Sequence, residues 1–269
     1  MKKRRLIPVL LLRNGWLVQS KNFKDYQNLG NPVTAVKRLS EWASDELIYL
    51  DISKDDHYDI NRSDQGYPNR KSFLEIISDV SKVTFMPITV GGKIDNIQDI
   101  ERRLKVGADK ISVNTKAIED QNFIKDASKE FGSQCIVVSV DFYKQDNNYL
   151  VYNNKERKTI DLNIFNYLEQ IQDNGAGEIF LNSVNRDGKG NGYDIDFFNK
   201  ISNKIKIPII ASGGAGDWFD MYDIFDQTNV DAVAAANIFH YRDQSVFLAK
   251  KFLFDKNINV RKPDLLSIK

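Results

Sequence analysis

Among its 269 residues the sequence has one cysteine and two histidines. A lone cysteine excludes a disulfide within the chain, which fits a reducing, cytoplasmic compartment. Cys135 lies in the apolar run Cys135-Ile136-Val137-Val138 and reads most simply as a small buried core residue. His57 and His240 are too few for a histidine-rich metal centre, and no cofactor is expected. An excess of one charge sign is also missing. With a formal net charge of +1, no global field points to nucleic acid or an acidic membrane. Any anion must then be held by local geometry. No run approaches the roughly 18 apolar residues of a membrane span. Lys2-Lys3-Arg4-Arg5 followed by Leu6 to Leu12 imitates the start of a secretory signal. That run is short, is interrupted by Pro8 and leads to no small-residue cleavage site, so a first β-strand is the better reading.

What the chain does have is alternation. With 42% hydrophobic and 28% charged residues, it can bury a sizeable core and remain soluble. Short apolar or β-branched runs at 6–12, 46–52, 84–90, 109–114, 135–141, 178–183, 207–212 and 231–236 alternate with amphipathic stretches such as 32–39 and 73–77. That is the pattern of parallel βα units. Eight such units without a long linker favour one closed (β/α)8 barrel over residues 1–269, close to the roughly 250 residues such a barrel takes. A half-length repeat agrees with this. Met86-Pro87-Ile88-Thr89-Val90-Gly91-Gly92 recurs as Ile207-Pro208-Ile209-Ile210-Ala211-Ser212-Gly213-Gly214. Each copy leads through a helix to a strand that opens at an aspartate, Asp109 or Asp231, and ends in an asparagine, Asn114 or Asn237.

In such a barrel the chemistry sits at the C-terminal ends of the strands. Gly91-Gly92 and Gly213-Gly214 fall just past a strand and before a helix. There the backbone can approach a ligand closely, and helix N-terminal N–H groups attract an anion. A tight turn would use the same glycines, but two copies beside polar strand ends favour two phosphate sites across the mouth. One would comprise Gly92, Asn114 and Thr115, and the other Gly213, Gly214, Ala236 and Asn237, extended by Gly188. Asp141, ending the fifth strand, is the best acid/base candidate, because partial burial can raise a carboxyl toward a working pKa. Asp51 ends the second strand in the same way. A helix cap or a solvated loop acid remains open for both.

These motifs coincide with one family. From Arg5 to about Val260 the chain resembles the cyclase subunit of imidazole glycerol phosphate synthase, HisF. The resemblance is carried by Asn31-Pro32-Val33, Asp45-Glu46-Leu47, Thr89-Val90-Gly91-Gly92, Gly107-Ala108-Asp109-Lys110, Phe131-Gly132-Ser133-Gln134, Gly175-Ala176-Gly177-Glu178, Arg186-Asp187-Gly188, Ala211 to Gly216 and Phe239-His240. It implies a bisphosphorylated aminoimidazole precursor bound across the mouth, and ammonia delivered by a glutaminase (HisH-like) subunit docked on the opposite face. A charged ring gating ammonia is implied at Arg5, Glu46, Lys110 and Glu178, each at the start of a strand.

The chemical end departs from the family. Asp141 matches one of two family catalytic aspartates, but Leu11 stands where the other would be, on the first strand. Gln19 replaces a loop lysine, and Lys93 replaces a glycine of the first phosphate turn, where its ammonium is expected to reach a phosphate or a sugar carboxylate. The loop from Lys54 to Arg70 is long, and its Asp55-Asp56-His57-Tyr58-Asp59 and Gly66-Tyr67-Pro68 are expected to enlarge or cover the mouth. Three readings follow. A divergent member would pass channelled ammonia to another phosphate-bearing or sugar acceptor, as in amidation of bacterial surface sugars. A histidine-pathway cyclase would use Asp51 or a loop acid for the missing carboxylate. A non-catalytic barrel would only activate a glutaminase and conduct ammonia.

Overall fold

The computed structural model describes residues 2–21, 23–54, 58, 70–202 and 204–265. Eight parallel strands close on themselves in the order β1 (Arg5–Arg13), β4 (Leu47–Asp51), β5 (Ile88–Gly91), β6 (Lys110–Val113), β7 (Ile136–Gln145), β10 (Glu178–Ser183), β11 (Ile209–Ser212) and β12 (Ala232–Ala235), with β12 pairing back onto β1. Side chains of a strand alternate between its two faces, and here the alternation separates two cores. Ile7 and Val9 of β1 point inward with Ile48, Val137, Phe180, Ile210, Ala232 and Ala234, filling the barrel interior. Leu6, Leu10 and Leu12 point outward and pack under the helices.

The helices are α1 (Pro32–Glu41), α2 (Phe73–Val83), α3 (Ile97–Lys105), α4 (Thr115–Glu119), α5 (Asn122–Phe131), α6 (Ile164–Asp173), α7 (Ile195–Ile201), α8 (Trp218–Gln227) and α9 (Ser245–Asp255). None among the described residues is long and apolar enough to cross a membrane. The half-barrel repeat is physical. Asp109 accepts from the Ile88 N–H at 2.8 Å, and Asp231 accepts from Ile209 at 3.0 Å. Both following helices open with a capping box, Asn96 with Asp99 and Asp217 with Asp220.

Two antiparallel hairpins were not expected. β2 (Trp16–Lys21) and β3 (Asp25–Gly30) extend β1, and β8 (Asn148–Asn153) and β9 (Lys158–Asn163) extend β7. The first has a readable signal, since Asn14-Gly15 takes the paired positive φ angles, 50° and 79°, of a two-residue hairpin turn. Strand starts also differ. The expected strand at 84–90 begins only at Ile88, because Thr84 and Met86 bond to each other and Pro87 has no N–H to donate. Cys135 is partly exposed, not buried. It ends a 3-10 turn, Ser133–Cys135, just before β7 turns its side chains into the core.

Candidate active site

The N-terminal end of the barrel carries a closed square of charge. Arg5 Nη1 donates to Glu46 Oε1 at 2.5 Å and to both Glu178 oxygens at 3.2 Å. Lys110 Nζ lies 3.0 Å from Glu46 Oε2 and 2.7 Å from Glu178 Oε1. Each cation therefore bridges both acids. Burial works against the Arg5 charge, yet Glu178 and Glu46 outweigh it and hold its pKa above the ordinary arginine value. Glu46 and Glu178 are buried, so the two cations compensate charges that have little contact with water. Beside the square, Lys250, fully buried, donates to Asp45 at 2.6 Å, and Arg261 reaches the same oxygen at 3.1 Å. Sequence reasoning did not pick out this support under Glu46.

At the opposite end, Asp141 sits among three amides. Asn114 Nδ2 donates to its Oδ2 at 2.6 Å, Asn182 Nδ2 to its Oδ1 at 3.1 Å, and Asn154 Nδ2 also bonds to Oδ2. Asn182 is its direct neighbour in the β7–β10 pairing, and Asn154 arrives from the turn of the β8–β9 hairpin. Burial pushes the Asp141 carboxyl up to about 6 against the opposing pull of these hydrogen bonds. A carboxylate so poised is ionised at neutral pH, yet is a much stronger base than an exposed aspartate. Asp51 differs. Its oxygens accept from the Ser53 N–H at 2.9 Å, the Ser53 hydroxyl at 2.5 Å and the Tyr58 hydroxyl at 3.1 Å. It is buried and pins the start of the loop after β4. The remainder of the expected loop motif, Asp55, Asp56, His57, Asp59 and Gly66-Tyr67-Pro68, lies outside the described residues.

The two glycine turns have matching backbones with unlike residues. Gly92 and Lys93 have φ +97° and +51°, and Gly213 and Gly214 have +88° and +107°. The conformational repeat thus pairs Gly92 with Gly213 and Lys93 with Gly214. Lys93 keeps a left-handed backbone that glycine adopts more easily. Arg103, buried, holds that turn by donating to the carbonyls of Gly92 at 2.7 Å and Lys93 at 3.0 Å. Asp99 accepts from the Asp95 and Asn96 N–H groups just before α3, and Asp220 accepts from those of Gly216 and Asp217 just before α8. Uncapped N-termini lie one strand on. Neither the α4 terminus at Asn114-Thr115 nor the 3-10 turn that starts at Asn237 after Ala236 has a side-chain cap. Each adjoins a glycine turn across the sheet, since β5 pairs with β6 and β11 with β12.

Around the second turn, Asn237 Nδ2 donates to the Ser20 carbonyl at 2.7 Å, and a Cβ on Gly188 would lie 2.8 Å from the same oxygen. The β2–β3 hairpin thus joins Gly188 and Asn237 into one wall. Leu11, partly buried, lies with Leu50 and Ala236 at the top of the inner apolar core. That side of the mouth is apolar where Asp141 and its amides make the other side polar.

The family described as histidine biosynthesis protein matches residues 5–245. An imidazole glycerol phosphate synthase subunit HisF of Dehalococcoides mccartyi is 38% identical over 261 residues, covering 97% of this chain and 99% of that protein. The subunit of the same name in Streptococcus mutans is 38% identical over 262 residues, 97% of this chain and all of that protein. A Vibrio vulnificus protein provisionally named imidazole glycerol phosphate synthase subunit hisF2 is also 38% identical, over 97% of this chain and 92% of its own length.

Proposed function

The chain belongs to the histidine biosynthesis family alongside the HisF subunits, and from that membership we propose that it is the cyclase-type subunit of a glutamine-dependent synthase. A partner glutaminase docks at the end bearing Arg5, Glu46, Lys110 and Glu178. Ammonia crosses the barrel and reacts at Asp141 with a bisphosphorylated aminoimidazole held at the two glycine turns. The observation that carries this reading is the alignment of its parts along one axis. A balanced charge square guards one end, an apolar interior follows, and a buried base stands at the other. Neutral ammonia can traverse an apolar interior, whereas ammonium would lose its hydration without compensation. As the new C–N bond forms, the attacking nitrogen must shed protons. Asp141, oriented by Asn114, Asn154 and Asn182, is placed to take one. The ends of the substrate would rest against Gly92, Lys93, Asn114 and Thr115 on one side and against Gly188, Gly213, Gly214, Ala236 and Asn237 on the other.

Of the readings open from the sequence, the relatives' names favour the histidine-pathway cyclase over surface-sugar amidation. One observation still favours a different acceptor: Leu11, with Leu50 and Ala236, makes apolar the place where the family has an acid. Complementation of a cyclase-deficient strain, with turnover of the aminoimidazole precursor on free ammonia, separates the two. Growth and turnover are expected. A chain that neither complements nor turns over this precursor, yet couples glutamine hydrolysis to another acceptor, would overturn the cyclase reading.

A further inference from the structure

Phe239 and His240 have no part in the chemistry of the mouth. They close the 3-10 turn that opens at Asn237, and so carry the chain from the second glycine turn toward the outer wall of the barrel. There the chain meets α1. Arg38 and Trp42 lie four residues apart at the end of α1, on one face, and the Arg38 guanidinium stands 5.9 Å from the Trp42 ring centre. Between α1 and the turn at 239–243 is a cavity of about 190 Å³. Its floor is apolar, since Ala35, Leu39, Trp42 and Phe239 line it and are buried. Its exposed rim sets Arg38 and Arg242 against Asp243, and none of the three forms an ion pair among the described residues. The Ser245 hydroxyl donates to the Phe239 carbonyl at 2.8 Å and fixes the turn.

We propose that this cavity is a second ligand site, separate from the mouth, that takes a small planar aromatic carboxylate. The ring fills the apolar floor, and the carboxylate meets Arg38, Arg242 and the imidazole of His240. Size and lining together set that class. A cavity of roughly 150 Å³ holds one benzene ring, so this one admits a single ring with a small substituent and is too small for a nucleotide. An inorganic anion such as phosphate would lose hydration against Trp42 and Phe239 with nothing to offset the loss on that side. A neutral ring would gain nothing from the two guanidinium groups, whereas a carboxylate matches their planar donor geometry. His240 adds a neutral donor. Burial, and then the charge of Arg38, lower its pKa to about 4, so at neutral pH its ring is uncharged and keeps one N–H. That ring lines the cavity and has no hydrogen-bond partner among the described residues. A ligand here does not compete for the substrate positions at the mouth, so the site stands apart from the cyclase-type reading.

The test is calorimetry on the full chain with benzoate as the probe. Benzoate should bind, and Arg38→Ala and Arg242→Ala, both at exposed positions, should each weaken it by about tenfold or more, the scale of one charge-assisted hydrogen bond. Benzyl alcohol keeps the ring and lacks the charge, and it should bind more weakly by a similar factor. Inorganic phosphate should not displace benzoate. Proton NMR gives a second readout, because the sequence has only two histidines. Benzoate should raise the His240 midpoint above about 4, since a nearby carboxylate favours the imidazolium. It should also shift the indole N–H of Trp42, assigned with Trp42→Phe. Absence of benzoate binding, binding that both arginine variants leave unchanged, or a His240 midpoint that does not move overturns the site. Equal binding of benzyl alcohol, or displacement of benzoate by phosphate, overturns the aromatic carboxylate as its ligand class.

Discussion

Replacing Asp141 with asparagine should stabilise the protein at neutral pH while removing its activity. In the folded chain the carboxyl is raised from 3.8 to about 6, first by burial and against three amide donors. A raised acid binds its proton more tightly in the folded state than in the unfolded one. Its protonated form is therefore fully compatible with folding below about pH 4. Stability is lost as pH rises from there through about 6, and the loss is complete above that value. At about 1.4 kcal/mol per unit, the loss is about 3 kcal/mol. Asparagine has nearly the shape of the protonated acid and never ionises. The variant and the parent should thus unfold at similar urea concentrations near pH 4. Near pH 8 the variant should be more stable by up to about 3 kcal/mol, with kcat lowered by about 10²-fold or more. The assay is urea unfolding of both proteins at the two pH values. A stability difference that is the same at both, or a variant less stable near pH 8, would refute the burial argument and with it the account of Asp141 as a tuned base.

Lys110→Met leaves Glu46 and Glu178 with Arg5 alone. It should cost about 3 kcal/mol in urea unfolding and uncouple glutamine hydrolysis from product formation, and parent-like coupling would sink the gate reading. Gly214→Ala forces a side chain into a backbone at φ +107° and within 2.0 Å of the Gly192 carbonyl. It should lose at least about 1–3 kcal/mol and weaken inorganic phosphate at the second turn, while calorimetry still detects the site at Gly92 and Thr115. Leu11→Asp, alone or with Gln19→Lys, puts a carboxylate beside Leu50 and Ala236. It should cost about 1–3 kcal/mol and raise turnover of the aminoimidazole precursor at least tenfold. Unchanged turnover in a folded variant would mean that the rest of the mouth is built for another acceptor.

Much of the barrel was legible because its signal is local. The run Leu6 to Leu12 is buried on both faces, so it is apolar throughout, and the same holds for the interior strands at Ile136 and Ile179. The glycine turns were legible because few other residues take their φ angles. The hairpins were not, since β3 and β9 are largely exposed and carry no run of apolar side chains. What they hide follows from that. Asn154 reaches Asp141 only because β8 and β9 fold back over the mouth, and Asp187 is partly covered because the β2–β3 hairpin lies on it. Neither environment exists within a window of sequence. Nor could sequence patterning show that Asp99 and Asp220 reach back to the backbone N–H groups that precede α3 and α8.

The two ends of the barrel are held by different physics, which explains how one can match its family while the other departs from it. In the square, each charge is bonded to both charges of opposite sign, and loss of any one leaves two like charges sharing a single partner. No single substitution there is cheap. At the mouth the balance is reversed. A carboxylate beside Leu50 and Ala236 is a desolvated charge that must be stabilised by something else, and leucine at position 11 removes that demand while adding apolar contact to the inner core. Exchanging an acid for Leu11 is therefore favourable for folding and unfavourable only for chemistry. It persists where the chemistry has another proton donor or another substrate.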